Sequence, residues 1–229
     1  MTRQSNIRTA TTLEHLWNVV NDINKKHFPE NNLAPILGNG KIDRPKFMFV
    51  FINPTYANSS SRKEWKGPRF PFIGTKAVWR IFHRAGMFDD ALMKKIETSK
   101  TWSLEFTNDV LTFLKQQSFY FTNIVKWTGD DATLPNAKKI QLFLPILEKE
   151  IAIVKPKYIV TFGLIPYENI TGQKIKLGMY YEESMKQQRL KLFGKKFNGF
   201  TTNIIPCYFP VGRGNPKRAA EMLKLVRTL

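Results

Sequence analysis

The possible folds of this chain are narrowed first by an uninterrupted apolar run, Phe47-Met48-Phe49-Val50-Phe51-Ile52, with Pro45 before it and Pro54 after it. A strand that is apolar at every position has both faces buried, as the central strands of parallel sheets do. The two prolines keep the run short, because proline donates no hydrogen bond to a sheet. The run therefore predicts a central strand with helices packed on both of its faces.

Three further strand-like runs, rich in aromatic and β-branched residues, lie at 119–125, 157–162 and 201–208. Apolar residues at helical spacing accompany them at 12–25, at 75–86, at 104–116 and after Asn215-Pro216. Strands that alternate with helices form a mostly parallel sheet covered on both faces. The sequence therefore predicts an α/β fold of three layers, α/β/α, around a mostly parallel four-stranded sheet. We expect residues 1–229 to form one domain.

Two stretches are harder to assign. Pro145 interrupts a periodic segment at 136–154, and this predicts a kink or break followed by a helix at 145–154. The segment 173–200 is rich in lysine, glycine and aromatic residues, which is compatible with either a hairpin or a loop.

The charge of the chain favours a polyanionic partner. Lysine and arginine total 36 against 18 aspartate and glutamate, which gives a formal net charge of +18. Such an excess attracts nucleic acid through phosphate neutralisation and counterion release, although a generically basic surface is the alternative interpretation. No apolar run approaches the roughly 18 residues of a membrane span. The first residues contain no apolar signal segment, so we expect a soluble intracellular protein of the cytoplasm, nucleoid or nucleus, without a membrane partner.

Several classes of catalytic site are disfavoured. Cys207 is the single cysteine, and the three histidines, His15, His27 and His83, are not spaced as metal ligands. The sequence contains no GxSxG elbow, no GxxxxGK[ST] loop, no strand-linked GxGxxG and no carboxylate pair near a strand end. These absences disfavour a metal site of clustered histidines or cysteines and a nucleotide cofactor.

Ligands of open parallel sheets bind outside the carboxyl ends of the strands. In this chain those positions hold Asn53, Asn123, Gly163 and the loop 209–214. An asparagine amide carries a donor and an acceptor, so it can read the edge of a nucleobase or hold a water molecule. Phe72 offers a flat surface on which an unstacked base can rest. The alternatives are structural: Asn53 and Asn123 as turn residues and Phe72 as a core residue.

Five segments resemble the motifs of one known family, and they follow the same chain order. They are FVFINPT at 49–55, PRFPFIG at 68–74, FTNIVKW at 121–127, LPILEKEIAIVKPKYIVTFG at 144–163 and IIPCYFPVGRGNP at 204–216. Together they resemble the uracil-DNA glycosylase superfamily from about residue 45 to residue 227. The Ile-Asn-Pro of the first motif is similar to the Asn-Pro versions of the mismatch-specific and single-strand-selective branches. The overall layout is similar to the iron–sulfur branch.

The resemblance implies an enzyme that flips a damaged base out of DNA and hydrolyses its N-glycosidic bond, without a cofactor and as a monomer. The DNA would be damaged or mismatched duplex or single strand. In this implied scheme Asn53 holds the attacking water, Asn123 reads the base edge, Phe72 stacks on the base, and Tyr56 and Phe209 line the pocket. The implied DNA contacts are Val211 and Arg213 in the wedge loop and Arg62, Lys63, Lys66 and Arg69 at phosphates.

The sequence departs from the family pattern at four points. Asn53 stands where the most active branches carry aspartate, and Phe209 stands where most relatives carry the histidine that stabilises the departing base. Val211 replaces a serine, and Cys207 alone cannot supply the cysteines of an iron–sulfur cluster. These departures leave open a catalytically weak or inactive DNA- or RNA-binding protein, or a basic structural or ribosome-associated protein. Uracil, thymine opposite guanine, hypoxanthine and alkylated cytosine all stay open as the target, because they differ by groups that the shape of the pocket selects.

Overall fold

The computed structural model describes residues 7–131, 133–212 and 214–229. Its strands are β1 (Asn39–Gly40), β2 (Phe47–Phe51), β3 (Phe119–Asn123), β4 (Tyr158–Phe162), β5 (Phe193–Phe197) and β6 (Phe200–Cys207). They form one sheet in the order β1-β3-β2-β4-β6-β5. The central neighbours β3, β2, β4 and β6 are parallel, whereas β1 and β5 pair antiparallel at the two edges.

The prediction of an α/β fold is confirmed, but the prediction of a four-stranded sheet is wrong, because the sheet is six-stranded and mixed. The two additional strands lie at the edges. β1 has only two residues, too few to produce a recognisable hydrophobic pattern. β5 reads FGKKF, with Lys196 exposed and Lys195 half-buried, and such lysines are typical of an edge strand that must resist pairing with another sheet.

The helices are α1 (Leu13–His27), α2 (Ala77–Arg84), α3 (Asp90–Thr98), α4 (Leu104–Gln116), α5 (Ala137–Val154), α6 (Leu164–Thr171), α7 (Leu177–Gln187) and α8 (Pro216–Arg227). The segment 173–200 contains α7 and then β5, which forms a hairpin with β6. The two-residue turn of this hairpin is Asn198-Gly199, and both residues have positive φ, 35° and 90°. That backbone favours asparagine and glycine in tight hairpins.

Helix α5 continues through Pro145, so the predicted kink or break is not a helix boundary. A proline inside a helix removes one hydrogen bond and costs about 3 kcal/mol. Phe143, Ile146 and Leu147 flank the proline and are fully buried. Their burial offsets this cost, since each large apolar side chain contributes about 1.5–3 kcal/mol when removed from water.

The core has two parts, one on each face of the sheet. Successive residues of β2 point to opposite faces, as the pleat of a strand requires. Phe47, Phe49 and Phe51 pack with α2, α3, α4 and α8, whereas Met48 and Val50 pack with α1, α5 and α6. The chain therefore has the three layers that the sequence predicts. In the parts of the chain that the structure describes, no helix is long and apolar enough to cross a membrane.

Candidate functional site at the carboxyl edge of the sheet

The two asparagines singled out from the sequence lie on neighbouring parallel strands. Phe51 and Asn123 are register partners at the ends of β2 and β3. The pairing continues past both strands, since Ile124 N donates to Phe51 O at 2.8 Å and Val125 N donates to Ile52 O at 2.9 Å. Asn53 follows directly, so both amides emerge at the same edge of the sheet.

Asn53 is half-buried and anchored to the segment after β3. Its Nδ2 donates to Pro54 O at 3.1 Å. Gly129 N donates to the same carbonyl at 3.0 Å, and Tyr56 N donates to Gly129 O at 2.8 Å. A Cβ built on Gly129 would lie 3.5 Å from Asn53 Nδ2, an ordinary van der Waals distance, so Gly129 lies directly beside the Asn53 amide. Among the described residues nothing donates to Asn53 Oδ1, which leaves this oxygen available to hold a water molecule.

Asn123 is the most unusual polar residue of the site. Its side chain is 1% exposed, yet neither Nδ2 nor Oδ1 has a hydrogen-bond partner among the described residues. An unpaired buried polar group costs about 1–3 kcal/mol, and such groups are rare in folded proteins. The amide therefore offers a donor and an acceptor that no described residue of the protein pairs.

Phe72 presents an aromatic ring beside the same strand ends. Its ring packs edge-on against Phe51, with centroids 4.5 Å apart and an interplanar angle of 78°. Its φ is +72°, a strained conformation for a bulky residue. The strain is maintained by its carbonyl oxygen, which accepts from Trp79 Nε1 and from Thr75 Oγ1, each at 3.0 Å.

The loop between β2 and Phe72 is organised by a residue that the sequence analysis did not single out. Asn58 is buried, and its Nδ2 donates to Phe70 O at 2.9 Å. Its Oδ1 accepts from Ser60 N at 3.1 Å and from Ser60 Oγ at 3.0 Å. The Asn-Ser-Ser sequence is a recognisable signal for such a side-chain-to-backbone turn.

Phe209 follows β6 and lies at the same carboxyl edge of the sheet. It is half-buried, and its carbonyl oxygen accepts from Asn215 N at 3.0 Å. A Cβ built on Gly163, at the end of β4, would lie 3.9 Å from both Phe209 Cβ and Ile52 Cδ1. Phe209 therefore stands beside the strand end that leads to Asn53. Its ring contributes apolar surface and no hydrogen bond.

The remaining predicted site residues differ in exposure. Tyr56 is 60% exposed, and Val211 is partly buried against the core. Arg213 lies outside the described residues. Within the described part of the chain no three His, Cys, Asp or Glu side chains are close enough to hold a metal ion.

The four predicted phosphate-binding residues do not share one environment. Arg62, Lys63 and Lys66 are exposed, and Lys63 Nζ donates to Asn32 Oδ1 at a long 3.4 Å. The Arg69 guanidinium instead donates within its own loop, to Arg62 O at 3.2 Å and to Trp65 O at 3.1 Å. Burial lowers the pKa of Arg69, and nearby Glu64 opposes that effect. Arg69 thus holds the loop together, whereas the other three side chains face solvent.

Behind Asn123 lies an ion pair that the sequence analysis missed. Lys126 and Glu150 are both 0% exposed and contact each other directly. Burial lowers the pKa of Lys126, and Glu150 opposes this shift. Lys126 belongs to the FTNIVKW segment, and Glu150 lies in α5. A lysine and a glutamate that are distant in the sequence give no local signal of pairing.

The chain matches one known family over most of its length. Residues 37–229 match a family described as the uracil DNA glycosylase superfamily. No curated protein matches the chain. The match covers β2, β3, β4 and β6 with every described residue of the site.

Proposed function

The chain belongs to the uracil-DNA glycosylase superfamily, and we propose that it excises uracil, or a related deaminated or mismatched base, from DNA. The base is flipped from the stack, and water cleaves its N-glycosidic bond. The observation that carries this proposal is the Asn123 amide, buried and unpaired at the carboxyl edge of the sheet.

The donor and acceptor of Asn123 match the edge of a uracil-type base. A uracil ring presents an N–H beside a carbonyl oxygen, so one amide can accept from the first and donate to the second. Cytosine presents a ring nitrogen acceptor beside an amine donor, and the same amide orientation would then meet a mismatch. A site built to form such hydrogen bonds rejects a base that leaves them unmade.

Two further groups support excision. The Phe72 ring packs edge-on against Phe51, the register partner of Asn123, and offers a stacking surface for a flipped base. Asn53 Oδ1 can orient a water molecule without adding negative charge to a site that approaches DNA phosphates. Because an amide is a much weaker base than a carboxylate, catalysis rests on positioning and on electrostatic stabilisation of the departing base.

Phe209 supports a second candidate function, the binding of DNA or RNA without catalysis. Its ring cannot donate a hydrogen bond to the departing base, and losing one such donor slows related chemistry by about 10²–10³-fold. A protein of this kind would retain the pocket and the basic surface and release no base.

The two candidates are separated by an assay of base release. Labelled duplexes and single strands that carry uracil, hypoxanthine or a G·T mismatch are incubated with the protein, and abasic sites are then cleaved with alkali. We expect cleavage at one of these bases, and we expect Asn53→Ala and Asn123→Ala to lose it. Asn108→Ala, on the exposed side of α4, is the matched control and should retain full activity.

Cleavage by the wild type that both active-site variants lose would support the glycosylase. Preferential binding to the lesion without cleavage would support the second candidate, and Phe209→His should then produce measurable base release. Equal affinity for intact and damaged DNA, with no cleavage, would contradict both.

The exposed basic loop gives a separate prediction about DNA affinity. We expect the triple variant Arg62→Gln/Lys63→Gln/Lys66→Gln to weaken DNA binding and its salt dependence. Each lost phosphate contact lowers the slope of log K against log salt concentration by about 0.9, hence by about 2.7 for three contacts. Fluorescence anisotropy with a labelled duplex measures this slope. The salt concentration is varied from roughly 50 to 200 mM, the range over which such affinities fall steeply.

A triple variant at the opposite edge provides the control. Lys41, Lys115 and Lys157 are exposed near the amino ends of the parallel strands. Changing all three to glutamine also lowers the formal charge from +18 to +15. Equal slopes for the two triple variants would show that only net charge matters and would contradict a contact role for the loop.

A further inference from the structure

Lys126 binds the main chain of Asn123 from inside the protein. Its Nζ donates to Asn123 O at 2.6 Å and to Thr122 Oγ1 at 2.6 Å, and it contacts the Glu150 carboxylate. All three acceptors lie away from solvent, and the lysine itself is 0% exposed. A buried ammonium with three acceptors holds them in one arrangement, because charge-assisted hydrogen bonds are short and strong.

Glu150 anchors this ammonium to three parts of the fold. Its carboxylate accepts from Tyr120 OH at 2.8 Å, from Gly38 N at 2.9 Å and from Thr122 Oγ1 at 3.0 Å. The packing is tight: a Cβ built on Gly38 would lie 2.4 Å from Tyr120 Cε1 and 2.6 Å from Glu150 Oε1. The position of Lys126 Nζ is thus determined by α5, by β3 and by the segment before β1.

Asn123 depends on the hydrogen bond from Lys126 to its main chain, because no described residue holds its side chain by a hydrogen bond. Neither atom of its amide forms a hydrogen bond within the described structure. The direction of the amide is therefore set by the main chain of Asn123 and by packing. Its carbonyl oxygen is held by Lys126, and the next amide, Ile124 N, is held by Phe51 O at 2.8 Å.

A buried ion pair is a costly way to stabilise a fold. Apolar residues of similar volume are often as stabilising as such a pair, or more so. A role that apolar residues cannot perform would account for Lys126 and Glu150. Holding a carbonyl oxygen in place requires a donor, which an apolar side chain lacks.

We propose that Lys126, fixed by Glu150, is a positioning residue that holds Asn123 in the orientation in which its amide reads the base. This inference rests on the proposed function. Lys126 itself touches neither base nor water; it acts through the Asn123 peptide.

The test is the double variant Lys126→Met/Glu150→Gln in the full-length protein. Methionine fills the volume of the lysine chain without a donor, and glutamine retains an oxygen that can accept from Tyr120 and Gly38. Both buried charges are removed together, so neither is left unpaired. Lys95→Met/Asp109→Asn neutralises an exposed pair, with N···O 3.0 Å, and is the matched control.

We expect the double variant to fold and to bind lesion DNA with a Kd within about twofold of the wild type. We expect its kcat to fall about 10- to 100-fold, since small misplacements of a catalytic constellation cost that much. Its preference for the target base over cytosine should fall as well. A role confined to folding would leave kcat and base preference unchanged in a variant that folds, and that result would overturn the inference.

A second readout does not require activity. In ¹⁵N-labelled protein the side-chain amide of Asn123 is identified as the signal missing from Asn123→Ala. We expect this signal to move in the double variant while that of Asn58 stays in place. An unmoved Asn123 signal overturns the inference. If the wild type releases no base, the proposed function fails, and this signal alone decides whether Lys126 positions Asn123.

Discussion

Asn123→Leu should make the protein more stable and abolish base release. Leucine has the same branched shape and the same number of side-chain heavy atoms as asparagine, and it removes a buried amide that has no hydrogen-bond partner among the described residues. Removing this unpaired group should stabilise the fold by about 1–3 kcal/mol. For a chain of this size that corresponds to roughly 2–4 °C in Tm for each kcal/mol. Base release should fall at least about 10²-fold, the loss seen when one transition-state hydrogen bond is removed.

Calorimetry and the base-release assay measure the two effects on the same preparation. Asn58→Leu is the matched control, because Asn58 is also buried but pairs with Phe70 O and Ser60. That change should lower Tm, since it leaves the partners of Asn58 unsatisfied. A lower Tm for Asn123→Leu, or full activity, would contradict a ligand-reading role for Asn123.

Lys126→Met alone should be strongly destabilising. It leaves the Glu150 carboxylate buried at 0% exposure without its cationic partner. Breaking a buried pair in this way costs about 3–5 kcal/mol. The free energy of unfolding, measured by urea titration, should fall by this amount, and Glu150→Gln should restore much of it in the double variant.

Lys95→Met shows what the same change costs at the surface. The Lys95–Asp109 pair is about half exposed, with side-chain exposures of 53% and 43%. Exposed pairs contribute about 0–1 kcal/mol. If Lys126→Met costs no more than Lys95→Met, the buried pair does not support the fold behind Asn123.

Asn123 and Lys126 have opposite effects on the stability of the fold around the candidate site. The Asn123 amide, unpaired among the described residues, lowers stability, whereas the fully bonded ammonium of Lys126 fixes the main chain that carries it. Strain at Phe72, where φ is +72°, is a second cost at the same edge. Functional sites commonly contain such locally unfavourable features, which the surrounding fold maintains.

The sequence by itself determined the central strands and the edge of the sheet at which the candidate site lies. The apolar runs that became β2, β3, β4 and β6 specify burial on both faces, and burial is encoded by local pattern. Asn53 and Asn123 could be placed at one edge because the carboxyl ends of parallel strands meet there. The motif order also identified the family, and the match over 37–229 confirms it.

Only the tertiary structure decided how the polar groups pair. No periodic pattern in the sequence indicates the edge strands β1 and β5. The same holds for the hydrogen bonds of Arg69 within its loop and for the ion pair of Lys126 with Glu150. Hydrophobic burial is non-directional, so it can be inferred from which residues are apolar. A hydrogen bond requires two atoms within about 3 Å at a suitable angle, and that distance is set by the whole fold. For this reason the sequence shows neither the side-chain amide of Asn123, unpaired among the described residues, nor the Lys126 ammonium that holds the Asn123 carbonyl oxygen.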